Sequence, residues 1–143
     1  LSHGVNTSVY LRSYTSLGKS KVFAFPSLYE GLGNVLLEAM ACGVACVAAD
    51  CYSGPREVMA PRTKVLENLD DIECADYGIL VSVGGKEHFN ETDPLTKDET
   101  QLANAIVLLL SNGEKRSCYE KKSLERVKAF SPEKIMSDWE RLL

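Results

Sequence analysis

Residues 21–50 read KVFAFPSLYEGLGNVLLEAMACGVACVAAD, and the fold turns on how they alternate. KVFAFP is short and wholly apolar up to Pro26, the pattern of a parallel strand buried on both faces at the centre of a sheet. GNVLLEAMACG is rich in helix formers and closes on Gly43, a residue suited to a helix carboxyl end. VACVAAD is apolar again and ends in Asp50. Strand, helix, strand is a βαβ unit.

The flanking sequence extends the same alternation. Upstream, TSVYLRSYTSL (7–17) places Val9, Tyr10, Ser13, Tyr14 and Leu17 at helical spacing before Gly18, which is expected to stop the run. Downstream, Ser53-Gly54-Pro55 turns the chain into a short helix from Pro55, since proline suits a first helical position. Residues 61–76 are polar and acidic without a period, and read as loop with some local structure. YGILVSV (77–83) is a third strand, and an irregular polar segment follows Gly84-Gly85 to about Lys97. DETQLANAIVLLLS (98–111) opens on an acidic cap and first turn and sets Leu102, Ala105, Ile106, Leu109 and Leu110 on one face. Two more helices, 114–130 and 132–143, break at Ser131-Pro132. In the last, Ile135 and Trp139 are expected to anchor. The whole predicts an α/β fold, a parallel sheet with helices on both faces.

Such sheets bind ligands beyond the carboxyl ends of their strands. The loops there are PSLYEGLG (26–33) and DCYSGPRE (50–57), the segments richest in Gly, Ser and charge. The helix after the first loop is apolar around almost its whole circumference through Val35, Leu36, Leu37, Ala39, Met40, Ala41 and Cys42, as a buried crossover helix would be, and Glu38 is the exception. A buried carboxylate needs a partner or a polar cleft. Helical side chains lean toward the amino end, which would carry Glu38 back toward Glu30. Gly31 and Gly33 leave the first-turn N–H groups open to an anion such as phosphate, and a carboxylate beside such a turn can hold ribose hydroxyls. A nucleotide bearing sugar hydroxyls fits that set. The plainer reading is that Glu38 lies on the surface and the glycines serve only the turn.

With 143 residues, 45% of them hydrophobic, the chain suits one compact domain. A net charge of -4 gives no electrostatic case for nucleic acid, and no apolar stretch is long enough to span a bilayer. Five cysteines, with only His3 and His88 as histidines and no CxxC-type spacing, read as reduced core thiols and not as a metal site. The glycosylation-type triplets at Asn6 and Asn90 read as chance, and a cytoplasmic setting fits best. Lys115, Arg116, Lys121, Lys122, Arg126 and Lys128 interleave with Glu114, Glu120 and Glu125, the pattern of a solvated helix face; an anionic membrane or a neighbouring domain is the alternative occupant. Arg56 could reach a phosphate or an acceptor, or pair locally with a carboxylate.

FPSLYEGLGNVLLEAMACGVACVAADCYSGPREVM (25–59) resembles the carboxyl-terminal nucleotide-sugar-binding domain of the group 1 (family 4) retaining glycosyltransferases of the GT-B fold. Glu30 and Glu38, with seven residues between them, stand where that family has its two-glutamate motif, and YGILVSV, LANAIVLLLS and SLERVKAFS also look like their counterparts. The resemblance implies a Rossmann-like half of a two-domain enzyme: residues 1–143 as a single donor-nucleotide-binding domain, truncated at its amino end. It implies retaining transfer of a sugar from a nucleotide-diphosphate donor to an acceptor hydroxyl. Glu30 would be the catalytic group near the transferred sugar, Glu38 would hold the ribose, and the backbone of Gly31, Leu32, Gly33, Asn34 and Val35 would bind sugar and pyrophosphate. Ser27, Ser53 and Arg56 are further candidates on the two loops.

No metal or resident cofactor is implied. A glycan or lipid-linked acceptor would be held by an amino-terminal domain, and a diphosphate-neutralising Arg/Lys pair would lie upstream of Leu1; without them the chain alone is expected to show no turnover. SGPRE looks like bacterial members that build lipid-linked or surface polysaccharides, with peripheral contact of the parent enzyme at the inner membrane. Leu32 stands where many relatives have Phe, which leaves the sugar open. A nucleotide-sugar epimerase of the same architecture and a non-catalytic Rossmann-like interaction module are the alternative readings.

Overall fold

The structure, a computed structural model, describes residues 16–27, 34–51, 54–63, 71–84, 90 and 92–133. Within them the βαβ unit has the expected boundaries: β1 (Val22–Phe25), α1 (Asn34–Ala41) and β2 (Ala45–Ala49). Then come α2 (Pro55–Met59), β3 (Glu73–Cys74), β4 (Ile79–Val81), α3 (Lys97–Ser111), α4 (Gly113–Val127) and a 3-10 turn over Lys128–Phe130.

The sheet order is β1-β2-β4-β3. β1, β2 and β4 are parallel, with Phe25 opposite Ala48 and Ala49 opposite Val81, so their carboxyl ends lie at one edge. β3 joins antiparallel to β4, Glu73 opposite Leu80. Successive side chains of a strand point to opposite faces, and β2 feeds two cores accordingly. Cys46 and Ala48 pack with Leu36, Ala39 and Met40 of α1 and Val58 and Met59 of α2. Ala45 and Val47 pack with Ile79, Val81, Ala105, Leu109 and Tyr119 on the other face. Helices therefore cover both faces, as the alternation predicted.

α4 crosses the amino-terminal end of the sheet. Ser123 Oγ donates to the Val44 carbonyl just before β2 (2.9 Å) and Tyr119 Oη to that of Ala75 (3.1 Å). Glycine matters at two turns: Gly43 closes α1 at φ 71° and Gly54 precedes α2 at φ 85°, both in the region that disfavours other residues. Pro55 opens α2 as expected.

Several expectations are corrected. β1 is half-buried at all four positions, and among the described residues it is the sheet's edge, not a centre covered on both sides. α1 buries one face, Leu36, Ala39 and Met40, while Val35 is 48% exposed and Ala41 is exposed, because the sheet and α4 cover it from one side only. The acidic segment read as loop supplies β3. Helical residues 16–19 continue past Gly18 and end where Ser20 N–H bonds back to the Leu17 carbonyl (2.9 Å).

On α3, the cap is Thr96, with Asp98 and Glu99 in the first turn; Gln101, Ala105 and Leu109 are buried, and Leu110 is half exposed. Cys46 and Cys51 are core thiols and Cys42 is half-buried, but Cys74 and Cys118 are exposed; none of the five is in a disulfide. Burial pushes the Cys46 thiol up to about 12, so it stays protonated. The predicted helix over 7–17, apart from its end, and that over 132–143, with Ile135 and Trp139, lie outside the described residues after Glu133.

Candidate functional site

Because β1, β2 and β4 run parallel, the segments leaving them emerge side by side at one edge: Pro26 and Ser27 after β1, Asp50 and Cys51 after β2, Ser82 after β4. A cavity of about 170 Å³ lies there, floored by Pro26, Ala49, Val81 and Leu102 and walled by Ser82 and Asp98. Ser82 is held in place by α3: its hydroxyl donates to the Asp98 carboxylate and lies 2.9 Å from Gln101 Oε1, and its N–H donates to Gln101 Oε1 (3.0 Å). This polar set was not singled out from the sequence, since it needs β4 and the start of α3 to be brought together across an irregular segment.

α1 begins at this edge. Asn34 and Glu38 are one turn apart and share a face, and both line an open groove of about 350 Å³ with Leu37 and Ala41, closed on its far side by Val127 and Phe130. Glu38 is half-buried there, beside Asn34 in a groove whose other lining residues are apolar. Asn34 and Val35 are exposed at the amino end of α1. Of the remaining predicted residues, Ser27 is half-buried beside the edge, whereas Glu30, Gly31, Leu32, Gly33 and Ser53 lie outside the described residues.

Arg56 is 5% exposed and belongs to a buried ion cluster. Its Nε donates to both Asp50 oxygens (2.8 and 3.0 Å) and its Nη2 to Asp50 Oδ2 (2.6 Å) and Glu73 Oε2 (2.7 Å). Nη1 donates to Thr63 Oγ1 (3.1 Å) and Glu73 Oε1 (3.5 Å). Bonding to Asp50, opposed by burial and aided by Glu73, raises the guanidinium's pKa, so it is charged at any pH the fold survives. Local pairing with a carboxylate, one of the two readings open from the sequence, is thus present. Asp50 was legible as the polar end of an apolar strand; Glu73 was not, because nothing in the acidic stretch before it marks a strand of two residues.

With this geometry in hand, residues 5–77 match the family described as Glycosyl transferases group 1. An uncharacterized glycosyltransferase of Methanocaldococcus jannaschii is 34% identical over 131 residues, spanning 89% of this chain and 32% of that protein. The N-acetylgalactosamine-N,N'-diacetylbacillosaminyl-diphospho-undecaprenol 4-alpha-N-acetylgalactosaminyltransferase of Campylobacter jejuni is 31% identical over 125 residues, 87% of this chain and 27% of that one. Among solved structures, sucrose-phosphate synthase from Thermosynechococcus elongatus superposes with a TM-score of 0.63 at 26% identity, over 96% of this chain and 27% of that chain. The chain therefore spans about a third or less of the length of these relatives.

Proposed function

The chain belongs to the group 1 glycosyl transferases, and from that premise we propose that it is the donor-binding part of a retaining, nucleotide-diphosphate-sugar-dependent transferase of family 4. The observation that carries this reading is the position of Glu38: a half-buried carboxylate on an open groove, one turn into the helix that starts at the carboxyl edge of a parallel sheet. In the proposed complex the diphosphate lies over the N–H groups at the start of α1, around Asn34 and Val35, with the backbone of Gly31 to Gly33 beside it. Glu38 accepts hydrogen bonds from the ribose hydroxyls. Glu30, on the loop before the helix, acts at the transferred sugar, whose bond to the diphosphate breaks as the acceptor hydroxyl attacks, with net retention at the anomeric carbon.

The donor is a substrate, and the scheme uses no resident metal or cofactor. Charge developing on the departing diphosphate is stabilised by groups already oriented toward it, the amides of the α1 start among them. The acceptor, a glycan or lipid-linked glycan, is assigned to a further domain of the longer protein, which would meet the membrane only peripherally. The relative from Campylobacter jejuni, whose name includes a diphospho-undecaprenol, supports that acceptor class.

The test is transfer of labelled sugar from nucleotide-diphosphate donors to lipid-linked acceptors by the full-length protein, with the anomeric configuration of the product determined. Calorimetry with free nucleoside diphosphates then separates the two acids. Glu38→Ala should weaken binding about tenfold or more, the loss of a charge-assisted hydrogen-bond pair. Glu30→Ala should leave that binding within about twofold and lower turnover instead. Equal losses of nucleotide affinity in both variants would defeat this division, and release of an isomerised free donor without transfer would identify an epimerase.

A further inference from the structure

α1 packs on one face of the sheet and α3 on the other. The cavity of about 170 Å³ beyond β1, β2 and β4 lies on the α3 side and has no part in the diphosphate and ribose contacts proposed above. Its floor is apolar: Pro26 follows β1, Ala49 and Val81 close β2 and β4, and Leu102 rises from α3. Its polar groups stand together near the start of α3, where Ser82, Asp98 and Glu99 line it, and each is held by a neighbour. Ser82 donates its hydroxyl to Asp98 Oδ1 and its N–H to Gln101 Oε1 (3.0 Å), and Gln101 is itself only 5% exposed. Glu99 accepts from Thr96 N–H (2.8 Å) in the turn that caps α3. These oxygens are fixed by the fold, so little ordering is left to the moment of binding.

The lining selects against most classes of ligand. A phosphate would meet two carboxylates and no cationic side chain. A metal ion lacks a ligand set, since no group of three His, Cys, Asp or Glu side chains stands together among the described residues. A wholly apolar group would strip water from Ser82 and Asp98 without replacing its hydrogen bonds. What remains is a neutral group that donates hydrogen bonds from its edge and presents C–H groups on its face, which is the chemistry of a pyranose ring. Asp98 has the capacity for it: an ionised carboxylate accepts on both oxygens, and the one not bonded to Ser82 accepts no hydrogen bond among the described residues. The size agrees. At about 30 Å³ for each displaced water, about 170 Å³ is room for one such ring and not for a nucleotide.

We propose that this cavity is a sugar subsite: it holds one neutral pyranose ring of the reaction's carbohydrate substrates, with Asp98 and Ser82 engaging its hydroxyls and Leu102 and Pro26 under its C–H face. The inference rests on the transferase reading above and adds to it a group of residues which that scheme does not use. The sugar carried by the donor and the terminal sugar of the acceptor share this chemistry, and the experiment distinguishes them. Asp98→Asn keeps the size of the side chain and loses the charge that hydroxyl donors seek. Leu102→Trp keeps the floor apolar and fills the space.

The experiment uses the full-length protein. In saturation-transfer NMR titrations with the methyl glycosides of glucose, galactose, mannose, N-acetylglucosamine and N-acetylgalactosamine, the wild type should bind at least one. The Kd for that glycoside should rise about tenfold in Asp98→Asn, the loss of a charge-assisted hydrogen bond, and binding should vanish in Leu102→Trp. If Leu102→Trp does not fold, Asp98→Asn carries the comparison. Gly78→Ala, a crowded substitution away from the cavity, controls for stability and should leave the glycoside Kd unchanged below its own melting midpoint. In transfer assays Asp98→Asn should raise the KM of one substrate about tenfold: that of the nucleotide sugar if the ring belongs to the donor, with the Kd for the free nucleoside diphosphate unchanged, or that of the acceptor if it belongs there. A wild type that binds none of the glycosides, an unchanged glycoside Kd in Asp98→Asn, an equal loss in Gly78→Ala, or transfer with both KM values unchanged would each overturn the proposal. If no sugar is transferred from any donor, the transferase reading fails separately, and loss of glycoside binding in Asp98→Asn would still uphold the cavity as a sugar site.

Discussion

At the scale of single residues, a tight constraint among the described residues is at Gly78, between β3 and β4. A Cβ built there would lie 2.1 Å from Met59 Cε and 2.8 Å from the Cys46 carbonyl oxygen. The methionine's terminal methyl can rotate away, but the carbonyl belongs to β2, the central parallel strand, and cannot yield. Gly78→Ala is therefore expected to cost about 2 kcal/mol, in the range of overpacked cores, seen as a lower urea midpoint at unchanged slope. Gly18 provides the contrast. Nothing lies within 4 Å of a Cβ there, and the residue sits in a helical segment, so Gly18→Ala should be neutral or stabilising by up to about 1 kcal/mol. If both substitutions cost the same, close approach at Gly78 is not the cause.

At the scale of elements, α3 shows what a sequence discloses and what it hides. Its apolar spacing was plain, and Ala105 and Leu109 are indeed buried; the acidic residues before it suggested an acidic cap. The cap is Thr96 instead: its hydroxyl accepts from Glu99 N–H (3.2 Å) and the Glu99 carboxylate accepts from Thr96 N–H (2.8 Å). This reciprocal pair is written as T-x-x-E at 96–99, and it was masked by the stronger acidic signal two residues on. Thr96→Ala should cost about 1 kcal/mol and raise exchange in the first turn of α3. An unchanged melting midpoint and first-turn exchange would show that the box contributes nothing.

The same contrast holds elsewhere. The βαβ unit was legible because three apolar runs of distinct composition sit between glycine and proline punctuation. β3 was not, because a strand of two residues has no period to read, and its pairing with β4 is a tertiary event. The full burial expected of β1 and α1 failed for a related reason: an apolar surface says that something covers it in the functional protein, and not which segment does. At the candidate site, Glu38 stands out in the sequence as an acid on an otherwise apolar helix, whereas the Arg56 cluster draws on Asp50, Thr63 and Glu73, whose approach no local pattern encodes.

At the scale of the molecule, one helix ties the amino-terminal side of the sheet together, and one residue joins it to α2 on the face that also carries α1. Arg126, near the end of α4, donates from Nε to the Val58 carbonyl and from Nη2 to that of Glu57, both at 2.8 Å. These are among the last carbonyls of α2, which lack partners within a helix this short. The same guanidinium lies over the rings of Tyr77 (5.2 Å) and Phe130 (4.8 Å), so it links α4, α2, the β3–β4 turn and the 3-10 turn in one place. A lysine could supply the charge, but not two directed bonds together with a planar stack on two rings. Removing the guanidinium leaves two carbonyls to be satisfied by water in a partly buried place, so Arg126→Ala should cost about 2 to 3 kcal/mol, in keeping with charge-assisted hydrogen bonds. Arg126→Lys should recover less than half of that. Because α2 follows the β2–α2 loop directly, the loss should also be felt at the far end of α2, as faster exchange at 54–59 without a change in β1 or β2. Full recovery by lysine would mean that α4 is held by charge alone and that the fork and the rings add nothing.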